Sequence, residues 1–330
     1  MEDILVVEGL KKYFPVERTF VERLLTRHRR FVRAVDGVSF RVRRGEIFTL
    51  AGETGCGKTT TGRLVLRLLE PTAGRIVFDG MDITRLRGDE LRRIRRRMQP
   101  IFQDPYASLN PRMRIGDAIK HPLLIHGIAD GREAEEMVLQ MLERVGLVPP
   151  EKFYRLYPKD LSGGQRQRVA IARAMITRPE FIVADEAVSM IDVSLKAAIL
   201  ELMLEFKREL GLTYLFITHE LAVAKYISDR IAVMYLGKIV EMGPSGDVFR
   251  NPLHPYTKAL MAAIPVPDPR RRGLKKLEIK GEVPVSPIDV PPGCRFHPRC
   301  PYATDRCRRE EPQLVDVGGG HMVACHLVSG

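Results

Sequence analysis

Gly52-Glu53-Thr54-Gly55-Cys56-Gly57-Lys58-Thr59 fits the pattern G-x-x-x-x-G-K-S/T, and its flanks give the match its meaning. The run before it, Ile47-Phe48-Thr49-Leu50-Ala51, reads as a buried strand, and Leu64, Val65, Leu68 and Leu69 recur after it at helical spacing. A glycine-rich turn between a strand and a helix start is what a phosphate-binding loop requires. The glycines let backbone N–H groups curl around phosphate oxygens, and the helix start adds the positive end of its dipole. Lys58 then reaches the β- and γ-phosphates, and the Thr59 hydroxyl, with Thr60 beside it, faces a Mg²⁺ ion. Cys56 occupies a free position of the loop and reads as a small filler.

Upstream, Val38 to Val42 alternates as a strand and Arg43-Arg44-Gly45 turns. Downstream, strand-like runs return at Ile76-Phe78, Pro100-Phe102, Phe181-Ala184, Tyr214-Ile217 and Ile231-Tyr235, with helical patterns at Ala134 to Val145 and Leu195 to Leu210. Buried strands alternating with helices predict an α/β core with a largely parallel sheet. The stretch from about Asp104 to Tyr157 is helical in pattern and reads as an insertion. Beyond Pro244 the prolines crowd, Arg270-Arg271-Arg272 follows, and a tail rich in Pro and Cys closes the chain, so a boundary is expected near residue 250.

Phe181-Ile182-Val183-Ala184-Asp185 ends a buried run in acid, which places a carboxylate where it can hold Mg²⁺. Glu186 follows at once and can act as general base for water. Leu161-Ser162-Gly163-Gly164-Gln165-Arg166 offers a second, smaller nest of hydroxyl and amide donors at a helix start. With Gln103 in Ile101-Phe102-Gln103-Asp104, Ser189-Met190-Ile191-Asp192 and Thr218-His219-Glu220, these motifs in this order resemble the ABC transporter ATPase family. The resemblance covers nearly the whole chain.

It implies a P-loop NTPase cassette: a mixed sheet core with a helical signature subdomain over about 104–165, a nucleotide-binding domain over 1–250, and a small cysteine-rich extension over 251–330. It further implies ATP bound by Gly52 to Thr60, Mg²⁺ held by Thr59, Gln103 and Asp185, and catalysis by Glu186, His219 and Gln103. Tyr13 falls where family members stack an aromatic on adenine. Ser162, Gly163, Gly164 and Gln165 are expected to close over ATP held by a partner subunit. Ala187 departs from the family, where a proline usually follows the catalytic glutamate, and so do Met190-Ile191.

Lys12-Tyr13-Phe14-Pro15-Val16, Asp104 to Arg112 and Asn251-Pro252-Leu253-His254-Pro255-Tyr256-Thr257 narrow the resemblance to dipeptide/oligopeptide importers. The ending, Gly281-Glu282-Val283-Pro284 through Cys294, is similar to the second of the two ATPase subunits such importers pair. The implied partners are a second ATPase subunit in a heterodimer, two integral membrane permease subunits and, indirectly, an extracytoplasmic solute-binding protein. The implied location is the cytoplasmic face of the membrane. Branches of this kind also move nickel or oligosaccharides.

Cys294, Cys300, Cys307 and Cys325 are spaced C-x5-C-x6-C-x17-C. Four thiolates on a tail without a core of its own can fold around zinc or an iron–sulfur cluster, or hold no metal, and the family resemblance favours a 4Fe–4S cluster. His297, His321 and His326 are possible substitutes.

Bulk properties bound the alternatives. With 330 residues, 45% hydrophobic and 28% charged, the chain can bury a proper core. It has no apolar run long enough to span a bilayer, and Met1-Glu2-Asp3 lacks the layout of a secretion signal. The net charge of +12 admits nucleic acid, lipid headgroups or polyphosphate. Much of it lies in Arg27 to Arg33 and Arg92 to Arg97, runs that read either as solvated helix faces or as docking surfaces. A translation or repair ATPase acting on ribosomes or nucleic acid is the competing class. The chain carries neither the second cassette nor the very long coiled coil usual for those, so no nucleic-acid partner is expected. A dead-site binding module is disfavoured by intact Lys58, Asp185, Glu186 and His219.

Overall fold

Continuous apolar runs account for the central strands in the computed structural model, which describes residues 2–16, 30–189, 191–264, 288 and 290–328. Met190, Arg27 to Arg29, Arg270 to Arg272 and Gly281 to Pro284 lie outside the described residues. The chain divides into two compact units, one mainly Arg85–Ile217 and the other Asp3–Val42, Phe48–Thr84 and the chain from Thr218 on.

In the second unit β1 (Asp3–Pro15), β2 (Phe31–Arg43), β4 (Ala73–Phe78) and β5 (Met81–Asp82) form one sheet in the order β2-β1-β4-β5. β2 alternates buried and exposed from Asp36 onward, as a half-covered strand should. The other sheet of this unit is built on β3 (Ile47–Ala51), wholly buried and parallel to β9 (Arg230–Tyr235). β9 then pairs antiparallel with β10 (Lys238–Pro244), β10 with β12 (Met322–Val323), and β12 with β11 (Val315–Asp316). The cysteine-bearing tail therefore adds strands to the sheet of the phosphate loop. In the first unit β6 (Met98–Ile101), β7 (Phe181–Asp185) and β8 (Thr213–Thr218) run parallel.

The expected parallel arrangement thus holds for β3 with β9 and for β6 to β8, while β1 with β4, β4 with β5, β9 with β10, β10 with β12 and β11 with β12 are antiparallel. Two tight turns account for β4 with β5 and β9 with β10. Asp79 and Gly80 take φ of 50° and 75°, and Leu236 and Gly237 take 42° and 79°, so each pair joins neighbouring strands by a two-residue hairpin. The helix after the phosphate loop, α1 (Lys58–Val65), is shorter than its apolar spacing predicts. Arg67 takes φ 54° and buries its guanidinium on the Ile83 carbonyl at 3.0 Å, which leaves Leu68 exposed.

In the first unit α2 (Gly88–Arg97) carries the arginine run, with Ile94 its buried residue. Arg97 does not sit on a solvated face. Its guanidinium holds Glu180 at 2.5 and 2.9 Å, and Arg44 joins the same carboxylate at 3.1 Å. The expected helical stretch is present as α3 (Pro105–Ser108), α4 (Ile115–Ile125), α5 (Gly131–Arg144) and α6 (Pro150–Arg155). Then come α7 (Gly163–Met175) and α8 (Val193–Leu210), which stops at Gly211 in the left-handed region, a usual helix end. Among the described residues no helix is long and apolar enough to cross a membrane.

The tail's core is shared. Phe296 packs with Val233, Tyr235, Val240 and Tyr256, and Cys294 and Cys300 lie against that cluster. Beside it, Glu241 is fully buried and accepts from the backbone N–H of Leu253 at 2.8 Å and of His254 at 2.9 Å, with the His321 ring at 2.7 Å. His254 caps α9 (Pro255–Ala262), its Nδ1 accepting from the Tyr256 N–H at 3.1 Å. Burial pushes this imidazole down to about 3. A histidine held neutral in the fold but titrating near 6.5 when unfolded binds its proton first in the unfolded chain. Its contribution is intact above about pH 6.5 and is lost as pH falls toward 3, at about 1.4 kcal/mol per pH unit. His254→Asn keeps a capping acceptor and removes the titration. Denaturant unfolding at a series of pH values should show a shallower acid loss in the variant than in the native chain; equal slopes would assign the acid loss to other groups.

Candidate active site

The phosphate loop leaves β3 at Ala51 and enters α1 at Lys58. Two of its glycines are fixed by close packing. A Cβ on Gly52, at φ 148°, would lie 2.3 Å from the Met234 carbonyl oxygen, and one on Gly57, at φ 108°, would lie 2.2 Å from that of Ala34. Behind the loop the hairpin turn of β9 and β10 is hydrogen-bonded to it: the Gly237 N–H donates to Cys56 O at 2.8 Å, and the Asp36 N–H donates to Gly237 O at 2.9 Å. Cys56 is buried, as a filler would be, and burial pushes its thiol up. Lys58 is buried too, its ammonium donating to the carbonyls of Gly52 at 2.7 Å and Glu53 at 2.9 Å. Thr54 and Gly55 are exposed at the loop's tip, and Thr59 and Thr60 open the helix half-buried.

Tyr13 lies on β1, its backbone N–H held by Thr72 Oγ1 at 3.0 Å and its hydroxyl donating to Asp36. Burial and this bond to a carboxylate push the phenol up to about 12. Burial pushes the Asp36 carboxyl up, but the Tyr13 hydroxyl and the Arg295 guanidinium outweigh it and hold the group below the usual range. His219 follows β8 and is exposed.

On the first unit β7 delivers Asp185 and Glu186, both nearly buried. Glu186 is not in strand geometry. Its φ of 50° is uncommon for a residue with a Cβ, and its N–H is held by Ile217 O at 2.9 Å. The turn brings its carboxylate to Gln103, whose Nε2 donates to it at 2.8 Å. Ser189 closes the same turn, its Oγ donating to Glu186 O at 2.9 Å. Ser162 caps α7, its Oγ accepting from the Gln165 N–H at 3.3 Å while Gln165 Oε1 accepts from the Ser162 N–H at 2.9 Å. Gly163 faces open space, whereas a Cβ on Gly164 would lie 2.8 Å from Leu195. The structure thus joins Gln103 to Glu186, while the Ser162–Gln165 turn spends its side-chain hydrogen bonds on itself.

The four tail thiols lie within electrostatic reach of one another. Burial pushes Cys294 up to about 11 and raises Cys300 and Cys325, and neighbouring thiols add to each shift. Among the described residues no three His, Cys, Asp or Glu side chains are gathered to hold a metal ion. The histidine substitutes are turned to other partners: His321 to Glu241 at 2.7 Å, His326 to the Glu310 carbonyl at 2.9 Å, and His297 to the Cys294 carbonyl at 2.9 Å.

Asp36, Tyr256, Arg295 and Arg299 were not legible as site residues from the sequence. Tyr256 accepts from the Glu53 N–H at 3.0 Å, and Arg299 grips the Glu53 carboxylate at 2.9 and 3.3 Å. Arg295 donates to Asp36 and to the Leu236 carbonyl. The only signal was position: both arginines lie between Cys294 and Cys300, and Tyr256 lies in the Asn251 to Thr257 run.

Comparison with known proteins agrees with this geometry. Residues 35–189 match the ABC transporter family and residues 240–307 the C-terminal region of oligopeptide/dipeptide transporters. The oligopeptide transport ATP-binding protein AppF of Bacillus subtilis is 47% identical, over 99% of this chain and 98% of its own. The protein y4tS of Sinorhizobium fredii, described as a probable peptide ABC transporter ATP-binding protein, is 49% identical over 98% of this chain and 90% of its own. Among solved structures, the dimeric post-hydrolysis state of the ATP-binding cassette MJ0796, bound to ADP and Pi, superposes with TM-score 0.64 at 27% identity, over 73% of this chain and 98% of that one. The ADP conformation of MJ1267, an ATP-binding cassette of an ABC transporter, gives 0.62 at 28%, over 76% and 96%. This chain belongs to the ATP-binding proteins of ABC transporters, in the oligopeptide/dipeptide branch, and is an ABC ATPase with the cassette fold.

Gly57→Ala combines a contact of 2.2 Å with a left-handed φ, whereas Gly55→Ala, at φ 83° with nothing within 4 Å, carries backbone strain alone. Titration with a fluorescent ATP analogue should show a loss of affinity above about tenfold for Gly57→Ala and a smaller one for Gly55→Ala.

Proposed function

We propose that this chain powers import of di- or oligopeptides, as a peripheral subunit on the cytoplasmic side of two membrane permease subunits and paired with a second ATPase. The observation that carries this is the joint match to the cassette and to the oligopeptide/dipeptide C-terminal region, within a nearly full-length likeness to AppF. Net charge of +12 suits ATP and a membrane surface as well as it suits nucleic acid, and so favours no ribosomal or repair role. Nickel or oligosaccharides are the other cargoes open to this branch.

In this reading the amides of Gly52 to Thr60 cradle the phosphates, Lys58 neutralises their charge, and Thr59, Gln103 and Asp185 hold Mg²⁺. Tyr13 supports adenine. Glu186 takes the proton of the attacking water, and the 2.8 Å bond from Gln103 supports that role by fixing its carboxylate. His219 contacts the γ-phosphate. Ser162, Gly163, Gly164 and Gln165 form the second nest, which serves ATP held by the partner subunit. Since that ATP binds between subunits, closure depends on the γ-phosphate and hydrolysis releases it.

The tail thiols are read as ligands of a 4Fe–4S cluster in preference to zinc, on the C-x5-C-x6-C-x17-C spacing, which lacks the C-x2-C pairs of common zinc modules, and on the resemblance to this importer branch. Such a centre needs its ligands deprotonated, so loading must displace the protons that burial favours. Anaerobically prepared protein should absorb in the visible range through an iron–sulfur chromophore, and replacing all four cysteines by serine should remove it. A colourless native protein carrying zinc, or colour persisting in the variant, would refute the assignment.

The Glu186→Gln variant tests the motor itself. It should keep ATP and lose turnover by about a hundredfold or more. Trapped with ATP in native membranes, it should co-purify two integral membrane proteins and a second ATPase; recovery of ribosomes or DNA instead would overturn the importer reading.

A further inference from the structure

We infer that Arg295 and Arg299 are positioning residues of the nucleotide site, so that the Cys294–Cys300 loop acts as a strut for both ends of bound ATP. The inference rests on the ATP-binding reading of the phosphate loop and goes beyond it, because neither arginine lies in a motif of the cassette.

Both guanidinium groups are almost fully buried, at 6% and 7% exposure. A buried charge persists only where something opposite holds it, and each of these is held by a group that shapes the site. Arg299 makes a two-pronged contact with the Glu53 carboxylate, a side chain of the phosphate loop itself, while the Glu53 N–H is held by Tyr256. Its guanidinium also lies 5.8 Å from the Tyr235 ring centre and 6.0 Å from that of Phe296, which fixes the fork's plane. Arg295 donates to Asp36, which accepts from Tyr13, and to Leu236 O in the turn whose Gly237 holds the loop at Cys56. One arginine therefore sets the loop that cradles phosphate, and the other sets the tyrosine expected against the base.

The two effects have different signatures, which general destabilisation would not reproduce. Arg299→Ala should weaken ATP and inorganic triphosphate alike, by about tenfold, because it acts at the phosphates. Arg295→Ala should weaken ATP more than inorganic triphosphate, because through Tyr13 it acts at the base, which triphosphate lacks. Both should raise KM more than they lower kcat, and Arg299→Lys should recover part of the loss. In a Glu53→Ala background, Arg299→Ala should have little further effect, since its partner is already gone.

Nucleotide affinity, steady-state rates and melting temperature would be measured on the full chain for each variant. Unchanged ATP affinity in Arg299→Ala, an undiminished effect in the Glu53→Ala background, or equal losses of ATP and inorganic triphosphate in Arg295→Ala would overturn the inference. Failure of the native chain to bind ATP would instead overturn the reading of the loop on which it rests. An Arg299→Ala chain too unstable to assay leaves the Arg299→Lys chain and the Arg295 discrimination ratio to decide.

Discussion

Everything around the phosphate loop follows from the need to bring backbone amides, not side chains, to one point. Amides can converge only if the chain turns through conformations that a Cβ forbids, and only if the turn is supported from behind. Both conditions are met by backbone contacts. Gly57 passes within van der Waals reach of the Ala34 carbonyl, Gly52 lies against Met234, and the Leu236–Gly237 turn is hydrogen-bonded to Cys56. A loop held this way keeps its shape without a ligand, so binding does not have to order it.

The support has its own support, and here charge enters. The β9–β10 turn carries Leu236 O to the buried Arg295, and the loop carries Glu53 to the buried Arg299. Two cations placed out of water make the arrangement specific more than stable, because a misplaced chain would strand a charge. The same logic accounts for Glu241, fully buried beneath the tail, which is satisfied by two backbone amides and His321. A tail that contributes arginines, a tyrosine and sheet strands to the nucleotide-binding unit is part of the site's frame.

Local chemistry was legible in the sequence, and long-range pairing was not. Strand, glycine turn and helix announced the phosphate loop because each signal lies within a few residues of the next. The order of the motifs then singled out Asp185, Glu186, Gln103 and the Ser162 turn as candidates. The left-handed backbone of Glu186, which turns its carboxylate to Gln103, was invisible, since no sequence rule puts a glutamate at φ 50°. Arg295 and Arg299 looked like two more charges in a basic tail because burial of an arginine depends on partners far away in sequence, at Asp36 and Glu53. Leu68 was assigned to a helix by spacing alone, whereas the buried Arg67 ended that helix earlier. The antiparallel hairpin at Leu236-Gly237 was missed because its turn lacks the usual Asn or Asp signal, whereas Asp79-Gly80 carries that signal and went unread.

The first unit shows the same economy of buried cations. Arg166 at the start of α7 donates to the carbonyls of Pro158 and Leu161, which fixes the turn that presents Ser162, and its guanidinium lies 3.6 Å from the ring centre of the exposed Tyr106. Arg173, two turns along the same helix, donates to Ser108 O. The short helix α3, just after Gln103, is thus tied to the signature helix at two points by side chains of that helix, with little apolar packing of its own. An element held by hydrogen bonds and a stacked cation can shift without opening a core, whereas β7, buried along its whole length, cannot. Asp185 ends the buried strand and Glu186 opens the turn that leaves it, whereas Gln103 lies just before the element held by few bonds.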